Sequence, residues 1–109
     1  GYRFEIDDRI VTYCSDTAVC ANDKILAKNT DILIHECTLG PDLTMKDWGH
    51  SNPEDVAQLA KEARVREVYL THFGADHYQN KKSRQDALAV ARKIYSPIKM
   101  AEDDLIVKF

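Results

Sequence analysis

Asp31-Ile32-Leu33-Ile34-His35-Glu36-Cys37-Thr38 is the stretch on which the fold turns. Three consecutive apolar residues, with no polar alternation, run directly into a polar cluster. Such a run reads as a strand covered on both faces, as in a sheet sandwiched between layers. A carboxylate at its end, Glu36, must be solvated, paired or bound to something. Upstream, Asn22 to Lys28 spells a short helix, and Ile10 to Cys14 an extended segment. Tyr2 to Ile6 alternates apolar and polar residues, and Asp7-Asp8 supplies turn chemistry, so residues 2–14 are expected to form a β-hairpin.

Downstream, residues 39–49 contain Gly40, Pro41, Asp42 and Gly49 and read as a loop. Asn52 is placed as a helix N-cap, with Pro53 at the first helical position and Glu54 and Asp55 in the first turn. Val56, Leu59, Ala60 and Ala63 recur at helical spacing and predict one buried stripe. Glu67 to Phe73 is the next strand. Ser83, with Asp86 three residues on, predicts a second helix start, followed by Ala87, Val90, Ala91 and Ile94 on one face and stopped by Pro97. Ile98 to Ala101 and Leu105 to Phe109 are expected to close the chain as two short strands about Asp103-Asp104. The order is hairpin, helix, strand, helix, strand, helix, hairpin: an α/β layered arrangement, a sheet flanked by helices.

With 109 residues, the sequence amounts to one domain or a piece of one. Its 44% hydrophobic and 30% charged content is that of a globular chain, and no run approaches the roughly 18 apolar residues of a membrane span. Net charge is −3 with signs mixed, so no broad basic footprint for nucleic acid is visible. Cys14, Cys20 and Cys37 form an odd set without C-x-x-C spacing and predict reduced thiols in a cytoplasmic protein. Gly1-Tyr2-Arg3-Phe4 has neither an initiator Met nor a signal pattern, and is expected to be a cut end.

Three consecutive strands end in polar clusters: Ser15-Asp16-Thr17, His35-Glu36-Cys37-Thr38 and Thr71-His72-Phe73. Ligands of α/β sheets sit beyond the carboxyl ends of strands, so the clusters are expected to converge. Asp and His are competent ligands for zinc or a similar divalent ion, and Glu36 and His50 suit proton transfer beside it. Each residue alone has an ordinary reading. Asp16 suits a turn or cap, and a histidine at a strand end is commonly a hydrogen-bonded structural residue. His50 suits the helix start, His77 a surface loop, and Lys81-Lys82-Ser83-Arg84 a solvated helix start. Trp48 faces substrate or covers its own loop. Cys37 as a nucleophile lacks an accompanying His-Asn or His-Asp signature.

Together the motifs are specific. Val11-Thr12-Tyr13-Cys14-Ser15-Asp16-Thr17 resembles the strand-Asp-Thr segment of metallo-β-lactamase-fold hydrolases. Asp31 to Thr38 resembles the His-Glu-Ala-Thr motif of ribonuclease Z, Gly49-His50-Ser51 its His-Ser-Thr motif, and Val68 to Phe73 the final strand that ends in a metal-ligand histidine. The resemblance covers nearly all of residues 1–109 and implies the C-terminal half of an αββα fold. By the same resemblance, Asp16 is the carboxylate that bridges two metals and His72 the last histidine ligand of the second. Glu36 and His50 handle protons for the leaving group, with His35 in support. The implied cofactor is zinc, two per intact site, with other divalent ions as substitutes. The implied chemistry is attack by a metal-bound hydroxide on a phosphodiester or other ester, RNA included.

The sequence also departs from the pattern. The first-half signature His-x-His-x-Asp-His and the later single histidine do not occur in residues 1–109. Cys37 stands for the motif's Ala and Asn52 for its Thr. Asp16 and His72 are two ligands where zinc takes about four, so that pair is expected to hold zinc weakly and the chain alone to hydrolyse nothing at a useful rate. The expected partner is a missing N-terminal half or a second subunit. The alternative is a non-catalytic interaction module whose uncovered apolar face pairs with a partner or with itself as a homodimer. A nucleotide-binding α/β domain is disfavoured by the lack of a Gly-rich phosphate loop.

Overall fold

The computed structural model describes residues 1–45 and 48–109. Lys46 and Asp47, part of the expected loop 39–49, lie outside the described residues. The predicted hairpin is present as β1 (Tyr2–Ile6) and β2 (Arg9–Cys14), antiparallel with Ile6 opposite Arg9. Asp7 and Asp8 both take positive φ, 46° and 63°, which is what a two-residue type I′ turn demands. Helix α1 (Ala21–Ala27) then leads to β3 (Ile32–Glu36), parallel to β2 with Cys14 beside His35. Helix α2 (Pro53–Ala63) starts where expected: the Asn52 side chain accepts from the Asp55 N–H at 2.7 Å, and Pro53 occupies a position with no N–H to satisfy. Its stripe of Val56, Leu59, Ala60 and Ala63 is buried. Strand β4 (Glu67–Thr71) adds parallel to β3, giving a sheet ordered as the strands occur in sequence.

Two expectations are corrected. Helix α3 (Lys81–Ile94) begins before Ser83: Asn80 is the N-cap, accepting from the Ser83 N–H at 2.9 Å, and Ser83 Oγ donates back to the Asn80 carbonyl at 2.7 Å. Ser83 is therefore the third residue of the helix and not its cap. The closing hairpin does not form. β5 (Ile98–Met100) pairs parallel to β4, and Asp103-Asp104 makes its turn, but residues 105–109 join no strand. Instead Leu105, Val107 and Phe109 share an apolar groove with Val11, Ile32, Ile34 and Tyr69 on one face of the sheet. The period-2 alternation that suggested a strand serves equally for an extended tail lying on an apolar surface.

Strand pairing sorts the sheet into two faces. Thr12, Leu33, Val68 and Ile98 form one cross-strand row, and Cys14, His35, Leu70 and Met100 the next. That face packs on the helices through Ala27, Val56, Leu59, Ala60, Ala87 and Ala91. Leu33, Leu59 and Leu70 are almost wholly excluded from water, each contributing about 1.5–3 kcal/mol of burial. Ile34, Tyr69 and Glu36 point to the opposite face, as alternation along a strand requires.

Candidate metal centre

Strands β2, β3 and β4 run parallel, so their carboxyl ends share one edge of the sheet and the three polar clusters meet there. Two chain exits are strained. Asp16 and His72 leave their strands with φ of 48° and 52°, a left-handed conformation uncommon for residues with a Cβ. This turn brings Asp16 Oδ1 to 3.5 Å from His72 Nε2, with both side chains exposed.

Beneath that pair lies Glu36, fully buried. Its carboxylate accepts from the Thr17 N–H at 3.1 Å and the Thr38 N–H at 2.8 Å, and His50 Nδ1 stands 2.7 Å from Oε1. A carboxylate oxygen accepts, so His50 donates from Nδ1 and its Nε2 is not used in that contact. The rings of His50 and His72 are 6.2 Å apart between centroids, and the exposed Trp48 ring lies 6.5 Å from that of His50. Trp48 therefore stands beside His50 at the border of the site.

Thr38 orders His72 in turn. Its hydroxyl stands 3.2 Å from the His72 carbonyl, which can only accept, and 3.0 Å from Nδ1. The hydroxyl proton goes to the carbonyl, so Nδ1–H donates to Oγ1 and the lone pair of Nε2 is left facing Asp16. Gly74 makes this closeness feasible: its N–H donates to the Thr38 carbonyl at 3.2 Å, and a Cβ there would meet that oxygen at 2.6 Å. Ser51, fully buried, donates to the Thr17 carbonyl at 2.7 Å and ties the start of α2 to the end of β2.

Of the residues singled out from sequence, Asp16, Glu36, His50 and His72 come together and His35 does not. His35 lies on the helix face, its Nδ1 donating to the Glu36 carbonyl at 2.8 Å. Burial holds its imidazole below its ordinary pKa, so it stays neutral. Cys37 is buried, with its thiol pushed up to about 12 by desolvation, so no thiolate is on hand for attack. His77 is half-buried, and its N–H donates to the Gly74 carbonyl at 3.0 Å. The roles of Thr38, Gly74 and Ser51 were not anticipated. A threonine two residues beyond a buried glutamate and a glycine two beyond His72 were the available signals.

The donor set fits a divalent cation in part. Two donors at about 2.0 Å on a tetrahedral zinc stand about 3.3 Å apart, close to the separation of Asp16 and His72. An oxygen and an imidazole nitrogen suit zinc and its neighbours, and further ligands would have to come from other chain segments.

A family model described as the β-lactamase superfamily domain matches residues 1–73, two-thirds of the chain. The chain belongs to the β-lactamase superfamily. Among curated relatives, this superfamily member is 36% identical over 97 residues to the ribonuclease Z of Pediococcus pentosaceus, covering 87% of this chain and 31% of that protein. It is 33% identical over 99 residues to the ribonuclease Z of Archaeoglobus fulgidus, with the same coverage of 87% and 31%. The chain thus spans about a third of the length of the curated relatives it matches. Among solved structures it resembles the metallo-β-lactamase fold protein YhfI of Bacillus subtilis, with a TM-score of 0.79 at 25% identity over 98% of this chain and 44% of that one. Human tRNase Z, short form, aligns with a TM-score of 0.67 at 27% identity, over 92% of this chain and 33% of that one. The fold is the metallo-β-lactamase fold, of which these residues form a part, and the relatives are nucleases. No helix among the described residues is long and apolar enough to cross a membrane.

Proposed function

We propose that this chain is the C-terminal part, residues 1–109, of a zinc-dependent phosphodiesterase of the ribonuclease Z type that acts on RNA in the cytoplasm. The observation that carries the reading is the convergence, at one sheet edge, of an Asp–His pair spaced for a shared cation and a buried Glu36–His50 pair beside it. Asp16 and His72 would hold the metal, in a site of two zincs completed by ligands from an N-terminal part or a second subunit. A zinc there supplies Lewis acidity toward a phosphoryl oxygen.

The chain's own residues do the rest. Thr38 fixes the tautomer of His72 so that its lone pair faces Asp16. Glu36 holds His50 by Nδ1, and His50 Nε2 is the atom that carries a proton to a departing alkoxide. His35 supports them indirectly, by bracing the Glu36 backbone. In the intact protein, Asp16→Asn with His72→Asn should lower hydrolysis of a model phosphodiester at least about a thousandfold while circular dichroism stays unchanged. Full activity in that double variant sinks the proposal.

A second reading, an assembling module, is favoured by the exposure of Tyr2, Phe4, Ile6 and Tyr13 on the hairpin and Leu105, Ile106 and Phe109 on the tail. Such a surface suits the remainder of the protein or a second copy. A concentration-independent monomer by light scattering counts against self-pairing.

A further inference from the structure

On the helix face, behind Glu36, Cys14 Sγ, a carboxylate oxygen of Asp23 and a ring nitrogen of His35 all lie within 4.8 Å of one another, and all three residues are buried. They come from β2, α1 and β3. His35 Nδ1 donates to the Glu36 carbonyl, so Nε2 is an unprotonated donor; it is fully buried and has no hydrogen-bond partner among the described residues. A lone pair without a partner in the interior is costly and calls for an occupant. The Asp23 carboxylate accepts from the Cys20 N–H at 3.1 Å. It also takes a side-chain hydrogen bond from the Cys14 thiol, so two of the three donors already meet.

We propose that Cys14, Asp23 and His35 form a second, buried cation site, for zinc or a similar borderline ion, that clamps β2, α1 and β3 together behind the strand ends. One sulfur, one nitrogen and one oxygen donor match such an ion, and water takes the fourth position. Donors on a tetrahedral zinc stand about 3.3–3.6 Å apart, so side-chain movements of about 1 Å close the set. The charges also balance. On binding, the S–H proton leaves to solvent and a metal–sulfur bond replaces it; thiolate, carboxylate and divalent cation then sum to zero. Because Cys14 lies two residues before Asp16, and His35 adjoins Glu36, the clamp would hold both strand ends that carry the outer site.

The outer site contains no sulfur, which makes the two sites separable. Cobalt titrated into the purified chain should give a near-ultraviolet sulfur-to-cobalt charge-transfer band that saturates at one equivalent. It should persist in Asp16→Asn/His72→Asn and in Cys20→Ser, and vanish in Cys14→Ser. Zinc at a hundredfold excess over its dissociation constant should raise Tm by on the order of 10 °C in the Asp16→Asn/His72→Asn background. Absence of the band, or its survival in Cys14→Ser, overturns the proposal. Should Cys14→Ser fail to fold, zinc-edge X-ray absorption on the unaltered chain decides. One sulfur at about 2.3 Å sustains the site, and oxygen and nitrogen scatterers alone overturn it.

Discussion

His35 and Glu36 are neighbours on one strand, both wholly buried, yet they belong to different chemical environments. Glu36 opens toward the strand ends, where three donors converge on its carboxylate and two histidines stand near. His35 turns into the helix layer beside Cys14 and Asp23. A period of two residues separates the faces, so adjacency in sequence means opposition in space. The outer environment is open to solvent at Asp16 and His72, and the inner one is buried.

Glu36→Gln tests that division most severely. The amide presents an N–H where Thr17 or Thr38 already donates, which should cost about 1–3 kcal/mol of stability. It also replaces the charged anchor of His50 with a neutral amide, which should lower phosphodiester hydrolysis by the intact protein on the order of a hundredfold. Paired thermal melts and rate measurements check this. Unchanged activity would mean that Glu36 is structural in the same sense as His35.

A smaller effect is expected from Gly74→Ala. The new methyl must displace the Thr38 carbonyl, at about 1–3 kcal/mol, and with it the contact that orients His72. Chemical denaturation measures the first consequence, and the NMR shift of the His72 ring the second. A variant as stable as the parent, with its His72 resonance unmoved, would show that the loop tolerates what the contact distance forbids.

The mildest probe sharpens the contrast from the closed side. With the Cys14 and Cys37 thiols pushed up to about 12, only about one in ten thousand is thiolate at about pH 8, and both are buried. A thiol reagent should therefore label Cys20 alone in the folded chain from about pH 7 to 9, and all three cysteines in denaturant. Rapid labelling of Cys14 would mean that the helix layer opens readily.

Much of this was legible in the sequence. The apolar run into His35-Glu36, the Asn52-Pro53 cap and the Asp7-Asp8 turn each carry a local signal, and each formed as expected. The convergence of Asp16, Glu36 and His72 followed from strand ends sharing an edge. What could not be read was which neighbour claims an ambiguous group. Ser83 suits a cap or a third helical position equally, and only Asn80 upstream decides. Leu105 to Phe109 alternates as a strand does, and the same alternation serves a tail whose apolar residues meet the sheet face. His35 shares a motif with Glu36, and the motif conceals that the two face apart.

The first strand has a consequence of its own. Among the described residues β1 pairs with β2 alone, so one row of its amide hydrogens and carbonyls ends the sheet. Arg3 reaches back to the Leu26 and Lys28 carbonyls, whereas Tyr2, Phe4 and Ile6 are exposed. An extended edge with an oily margin is a template for one more strand. In a longer chain, that place is ready for the next segment of the sheet. In a concentrated solution of the isolated chain, any other copy can take it, and fibre-like association would begin at Tyr2–Ile6.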